Sequence, residues 1–294
     1  MKANRLANFG TLALLGLIWG SSFILIKKGL IVFSPLQVGS IRMILAALTL
    51  IILCFPYLFK FEKKDFKWLL LVGFVGSGFP SILYPLAQTH LDSAVTGTLN
   101  ALTPLFTFFI GLIVFKNAFN ALKFGGVLVG LAGAIVVVLL GNIQSINNID
   151  YQYVGYILLA TICYATSINV VKKKLQHISS ITISVFSLAV IMPIFIVILA
   201  YTGFFNQMDF GDSTYLYSFS ALAILAIIGT AVANLIFFKL TQNTSALFVA
   251  SVTYIIPIVA LGWGFWDGEF LKWAHFLGLG LILGGVYLVS KKQG

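Results

Sequence analysis

From Leu15 to Leu30 the chain reads LGLIWGSSFILIKKGL, and the fold turns on what its centre is for. Leu12 to Ile26 is apolar enough to sit in lipid, yet its middle is Trp19-Gly20-Ser21-Ser22. A helix crossing hydrocarbon has no general use for an indole, a helix-weakening glycine and two hydroxyls there. Either the stretch is not a span, or its centre faces something other than lipid.

The rest of the chain settles the first question. Of 294 residues, 60% are hydrophobic and 9% charged, against roughly 25% charged in a soluble domain. A spanning helix takes ~20 apolar residues. Ten low-charge runs qualify, near 8–26, 35–56, 68–87, 93–115, 123–140, 153–171, 180–201, 215–238, 245–265 and 273–290. The connections are short and leave no room for a soluble domain. Cys54 and Cys163 fall inside spans with no metal spacing or disulfide framework.

A net charge of +10 invites a nucleic-acid reading, but its distribution opposes one. With a cytoplasmic N-terminus, Lys2, Arg5, Lys60, Lys63, Lys64, Lys67, Lys116, Lys123, Lys172, Lys173, Lys174, Lys239, Lys291 and Lys292 fall inside. Only Lys27, Lys28 and Lys272 fall outside, and Arg42 lies within a span. This is the positive-inside bias of short loops, so both termini are expected in the cytoplasm of a multi-pass plasma-membrane protein.

A shift of 145 residues places Gly10, Leu14, Ser22, Lys27, Lys28 and Leu30 on Gly155, Leu159, Ser167, Lys172, Lys173 and Leu175. Trp19-Gly20-Ser21-Ser22 then meets Tyr164-Ala165-Thr166-Ser167. Beyond the third span the shift becomes 153, and Pro104, Gly111 and Gly125 meet Pro257, Gly264 and Gly278. Each half holds five spans. Five is odd, so the second half starts on the opposite side of the membrane. The expected fold is an all-α integral membrane protein of ten transmembrane helices, built as two inverted-topology five-helix repeats, residues 1–141 and 152–294. Carriers of that build place substrate near the midplane between the repeats.

The chain here resembles the EamA-type family of the drug/metabolite transporter superfamily. The likeness rests on LIWGSSFILIKKGL in the first span, PLQVGSIRMILAAL with Arg42 in the second, and HLDSAVTGTLNALTPLFTFFIGLIVFKN across the fourth. TSALFVASVTYIIPIVALGWGFWDGEF continues it in the second half. It implies a ten-helix carrier of small metabolites with a cavity lined mainly by helices 1, 3, 4, 6, 8 and 9. One departure stands out. The family ends helices 4 and 9 with Gly-Glu, whereas this chain has Phe115-Lys116 in the first half and Gly268-Glu269 in the second.

Polar residues in spans name the candidate cavity: Trp19, Gly20 and Ser22; Tyr84 and Gln88; Asn100; Tyr164 and Asn169; Asn234; Thr253 and Tyr254. The competing reading is helix packing, in which such groups bond backbone or join helices. Arg42 can hold a substrate carboxylate, pair with a loop acid such as Asp92 or Glu269, or snorkel outward. The family's arginine at this place, shared across varied substrates, favours a structural role. Pro104 and Pro257 are candidate hinges or static kinks. Gly126, Gly130, Gly280 and Gly284 allow helices 5 and 10 to pack closely.

No acid lies deep in a span and no nucleotide-binding loop is present, which leaves no carboxylate proton relay and no direct use of ATP. Nor do the residues suggest an enzyme, a cofactor or a metal. The expected function is secondary transport, in the direction of export, of a small amphipathic, amino-acid-like metabolite. The expected partners are that substrate and the lipid bilayer, with no nucleic acid, and the protein acts as a monomer. The alternatives are an exporter of hydrophobic drugs or nucleobase-type compounds, and a membrane scaffold that transports nothing.

Overall fold

The structure is a computed structural model. It describes residues 2–91, 93–141, 151–206, 208–209, 211–266 and 273–290. Six passes are continuous helices: α1 (Lys2–Gly29), α2 (Pro35–Cys54), α5 (Ala121–Gly141), α6 (Tyr151–Lys174), α7 (Ser180–Tyr201) and α10 (Trp273–Ser290). The other four are broken. In α3 a π-helical turn, Phe74–Gly78, separates Phe66–Gly73 from Phe79–Gln88. In α8 another, Ile227–Val232, separates Ser213–Ala226 from Ala233–Asn243. In α4 a 3₁₀ turn, Asn100–Leu102, separates Ser93–Leu99 from Thr103–Ile113. In α9 Ser251–Tyr254 does the same between Ala246–Ala250 and Ile256–Trp266. The breaks fall in repeat mates, at matching places.

Seven described segments are long and apolar enough to cross a membrane, and α5, α9 and α10 supply shorter apolar stretches. The polarity runs outside-in. Ile52, Ile113 and Val197 are exposed to what would be lipid, while Ser40, Arg42, Asn100, Ser167, Asn169 and Asn234 are buried.

Packing follows the duplication. The mates α2 and α7 lie on one another, and so do α5 and α10. α1 packs on α8 and α9; its mate α6 packs on α3 and α4. Helix starts match as well. Ser34, with Gln37, forms a capping box on α2, and Ser179, 145 residues on, caps α7 by accepting from Thr182 N–H. The inversion is visible in the loops. Asp65, before α3, meets His177, before α7, at 3.1 Å, whereas His90, after α3, stacks on Tyr153 at the start of α6 at 3.8 Å.

Glycine brings α5 and α10 together, though not by the expected set. A Cβ on Gly126 would lie 3.1 Å from Gly285 O, and one on Gly285 would lie 2.6 Å from Gly130 N. Gly280 has nothing within 4 Å, and Gly284 only Val129 at 4.0 Å. The contact on α10 is made one residue past the Gly280–Gly284 pair, because that residue points at α5.

Candidate functional site

Where the two halves meet, the broken helices leave a central cavity of about 820 Å³, its open mouth included. α1, α3, α4, α6, α8 and α9 line it, as the resemblance implied, and α2 joins them through Arg42 and Met43.

The π turns explain part of its shape. The regular partner of Gly229 O would be Ala233 N–H, which instead bonds Ile228 O and Thr230 O. Gly229 O is thereby released, and the Trp19 indole N–H donates to it at 3.0 Å. Trp19 then lies edge-on to Phe237, 4.9 Å between centroids. The repeat mates of that pair are Tyr164 and Tyr84, which stack at 5.9 Å. Two aromatic pairs thus face the cavity from symmetry-related places.

The polar groups are few and mostly tied. Tyr84 OH donates to Asn100 Oδ1 at 2.6 Å, and Thr103 Oγ1 donates to the same oxygen at 3.2 Å. Asn234 Nδ2 donates to Ser77 Oγ at 3.3 Å, joining α8 to α3. Arg42 Nε donates to Thr230 Oγ1 at 2.7 Å, joining α2 to α8. Ser167 Oγ is buried with no hydrogen-bond partner among the described residues.

The Trp19–Ser22 stretch can now be assigned residue by residue. Trp19 holds the π turn of α8 and Ser22 lines the cavity. Ser21 accepts from Trp263 Nε1 of α9 at 2.8 Å. Gly20 does not line the cavity. A Cβ there would lie 2.5 Å from Val259 Cβ and 3.1 Å from Ile256 O, so its lack of a side chain lets α1 and α9 touch.

Of the other residues singled out from sequence, Trp19, Ser22, Arg42, Tyr84, Asn100, Tyr164, Asn234 and Thr253 come together around this space. Gln88, Asn169 and Tyr254 are placed elsewhere. Gln88 Nε2 donates to Phe23 O and Ser93 Oγ at the end of α3. Asn169 Nδ2 donates to Thr107 O at 3.0 Å and Ala165 O at 2.9 Å, tying α6 to α4. Tyr254 is fully buried against Gly130, with its hydroxyl 3.3 Å from Val127 O, tying α9 to α5. Asn169 and Tyr254 thus spend their polar groups on neighbouring helices, while Gln88 is engaged through Nε2 and its Oε1 is buried with no partner among the described residues. Pro104 and Pro257 are buried in the first turn of the helical segments that follow the two 3₁₀ breaks. Asp92 and Glu269, the loop acids offered to Arg42, lie outside the described residues.

Sequence reasoning passed over Ser77, Thr230 and Phe237. The signal was available: Gly76-Ser77 stands 153 residues before Gly229-Thr230, and Tyr84 the same distance before Phe237.

The family model of the EamA-like transporter family matches the chain twice, over residues 9–139 and 152–291. An uncharacterized inner membrane transporter of Escherichia coli K12, YedA, is 28% identical over 294 residues, covering 96% of this chain and 90% of its own. A protein of Chlamydia trachomatis serovar L2 named an S-adenosylmethionine/S-adenosylhomocysteine transporter is 22% identical over 256 residues, covering 84% and 78%. A solved structure described only as the crystal structure of a protein shares the fold, with a TM-score of 0.68 at 16% identity over 95% of each chain.

Proposed function

The chain belongs to the EamA-like transporter family, and from that premise we propose that it moves a small, amphipathic, amino-acid-like metabolite out across the plasma membrane by alternating access. One observation carries the reading. The cavity is walled by corresponding positions of both halves: Trp19 with Tyr164, Ser22 with Ser167, Tyr84 with Phe237, Asn100 with Thr253. A site built twice with opposite orientation can open to either side as the halves rock. Its walls are largely aromatic and aliphatic, with a few placed polar groups. That suits a molecule with an apolar body and a polar end.

Under this reading each repeat, residues 1–141 and 152–294, moves as a unit, both termini are cytoplasmic, and a monomer suffices. The decisive measurement is counterflow in proteoliposomes holding purified protein. A mixture of labelled amino acids and related metabolites should accumulate selectively against unlabelled compound. No accumulation of any of them would return the protein to the scaffold reading. Accumulation of hydrophobic drugs alone would favour the drug-exporter reading, which the aromatic walls also suit.

A further inference from the structure

We propose that Arg42 is the binding group for a carboxylate carried by the transported molecule, at a subsite beside Tyr84 and Tyr164. The proposal rests on reading the cavity as the substrate site, and it adds a ligand role to the structural role that the sequence favoured for Arg42, because only the Nε side is spent on the protein.

Arg42 is 7% exposed and what remains exposed lies on the cavity. Its Nε–H is engaged by Thr230. The N–H groups of Nη1 and Nη2 have no protein acceptor among the described residues. Glu62, Asp65, Asp209 and Asp212, the acids among the described residues, all lie in loops. A guanidinium buried within a bundle is costly unless an anion or a set of acceptors meets it. Here the Nε side is fixed and the Nη edge is left for a ligand. That edge is a flat fork matching the two oxygens of a carboxylate.

A second polar group in the same cavity is also unmet. Ser167 Oγ is buried, lines the space and has no partner among the described residues. Tyr84 and Tyr164 line the same cavity as Arg42. The charge of the cavity is also single. The repeat mate of Arg42 is Ser187, and among the described residues no second cation lines the space. One guanidinium balances one negative charge, which selects a monocarboxylate over a phosphate dianion. Phe23 and Phe237 offer an apolar wall for the rest of the molecule.

The test is calorimetric binding to the full-length protein in lipid nanodiscs. The probes are L-phenylalanine, L-leucine, phenylacetate and indole-3-acetate, each against its primary amide. At least one acid should bind about ten-fold more tightly than its amide. R42Q should erase that difference, and R42K should keep part of it, because it retains charge but not the fork. Equal binding of acid and amide by the unaltered protein overturns the proposal. So does a preference that survives in R42Q, or the failure of every probe to bind. If R42Q does not fold, the acid-to-amide comparison in the unaltered protein and R42K still decides. The two readings fail separately. An acid bound through Arg42 but never accumulated in vesicles sinks transport and leaves this subsite. Amides carried as fast as their acids sink the subsite and leave transport.

Discussion

The indole N–H of Trp19 reaches across 210 residues of sequence to donate to the carbonyl of Gly229 at 3.0 Å. The acceptor exists because the π turn of α8 withdraws its own donor from that carbonyl. Such turns often mark functional positions in helices, and here one is fastened by a residue of the opposite repeat. Trp19→Phe keeps an aromatic ring against Phe237 and loses the bond. It should lower stability by about 1 kcal/mol and raise local mobility in α8. Hydrogen exchange at residues 229–233 should quicken relative to the rest of α8; unchanged protection there would show that the bond does not hold the turn.

Asn169 and Asn234 look alike in sequence, each an amide within a span, and the structure separates them. Asn169 is spent on two backbone carbonyls, while Asn234 sits on the cavity wall with one bond to Ser77. Asn169→Leu should therefore act on folding, at a cost of about 1–3 kcal/mol from the lost bond between α6 and α4 and the altered packing. Asn234→Leu should act on transport, with a smaller change in melting temperature. Comparing thermal unfolding with counterflow for the two variants checks this. Equal loss of stability in both would erase the distinction.

What made the fold legible was charge and repetition. The low-charge runs mark the passes, and the 145- and 153-residue shifts pair Trp19 with Tyr164 and Pro104 with Pro257. The site was legible in part. Ser22, Asn100 and Thr253 line the cavity between the halves. Gly20, Asn169 and Tyr254 went astray for one physical reason. A buried polar or small residue serves a cavity and a helix crossing equally well, and periodicity names a face without saying what it faces. The interruption of α3 was announced by Pro80, two residues past its π turn, whereas the π turn of α8 was invisible because its sequence, IIGTAV, carries no proline.

Pro104 and Pro257 stand just after matched 3₁₀ turns, where the backbone already departs from the α-helix. If the halves bend there during transport, Pro104→Ala or Pro257→Ala should slow turnover several-fold, about three- to ten-fold, while leaving substrate affinity near its original value. Turnover from counterflow, set beside affinity from calorimetry, reads the two separately. Turnover unchanged in both variants would leave the prolines as fixed kinks.

The contact of Asp65 with His177 puts the α2–α3 and α6–α7 loops on one face, and the orientation proposed from the lysine bias makes that face cytoplasmic. Single cysteines at Lys64 and Lys174, in a background without Cys54 and Cys163, should react with an impermeant maleimide only in inside-out vesicles. One at Asp212 should react only in intact cells. Labelling of residue 64 from outside would reverse the orientation.

Gly20 gives the sharpest test of how α1 is used. Its backbone lies so near α9 that an added Cβ would fall 2.5 Å from Val259 Cβ. In an isolated helix Gly20→Leu would be favourable by ~1 kcal/mol. Here the leucine must push α1 from α9, and overpacking of this kind costs about 1–3 kcal/mol. Trp19 and Ser21, on either side, bind α8 and α9, so the displacement would strain both attachments. The expected result is a lower melting temperature and a parallel loss of transport. Ser22→Val serves as the control, because Ser22 lines the cavity and returns its hydroxyl only to Ile18 O of its own helix. That variant should change which compounds are carried while unfolding near the original temperature. A Gly20→Leu protein that melts normally yet fails to transport would place Gly20 on the substrate path after all. One that melts and transports normally would mean that α1 and α9 separate at no cost, contrary to the packing seen here.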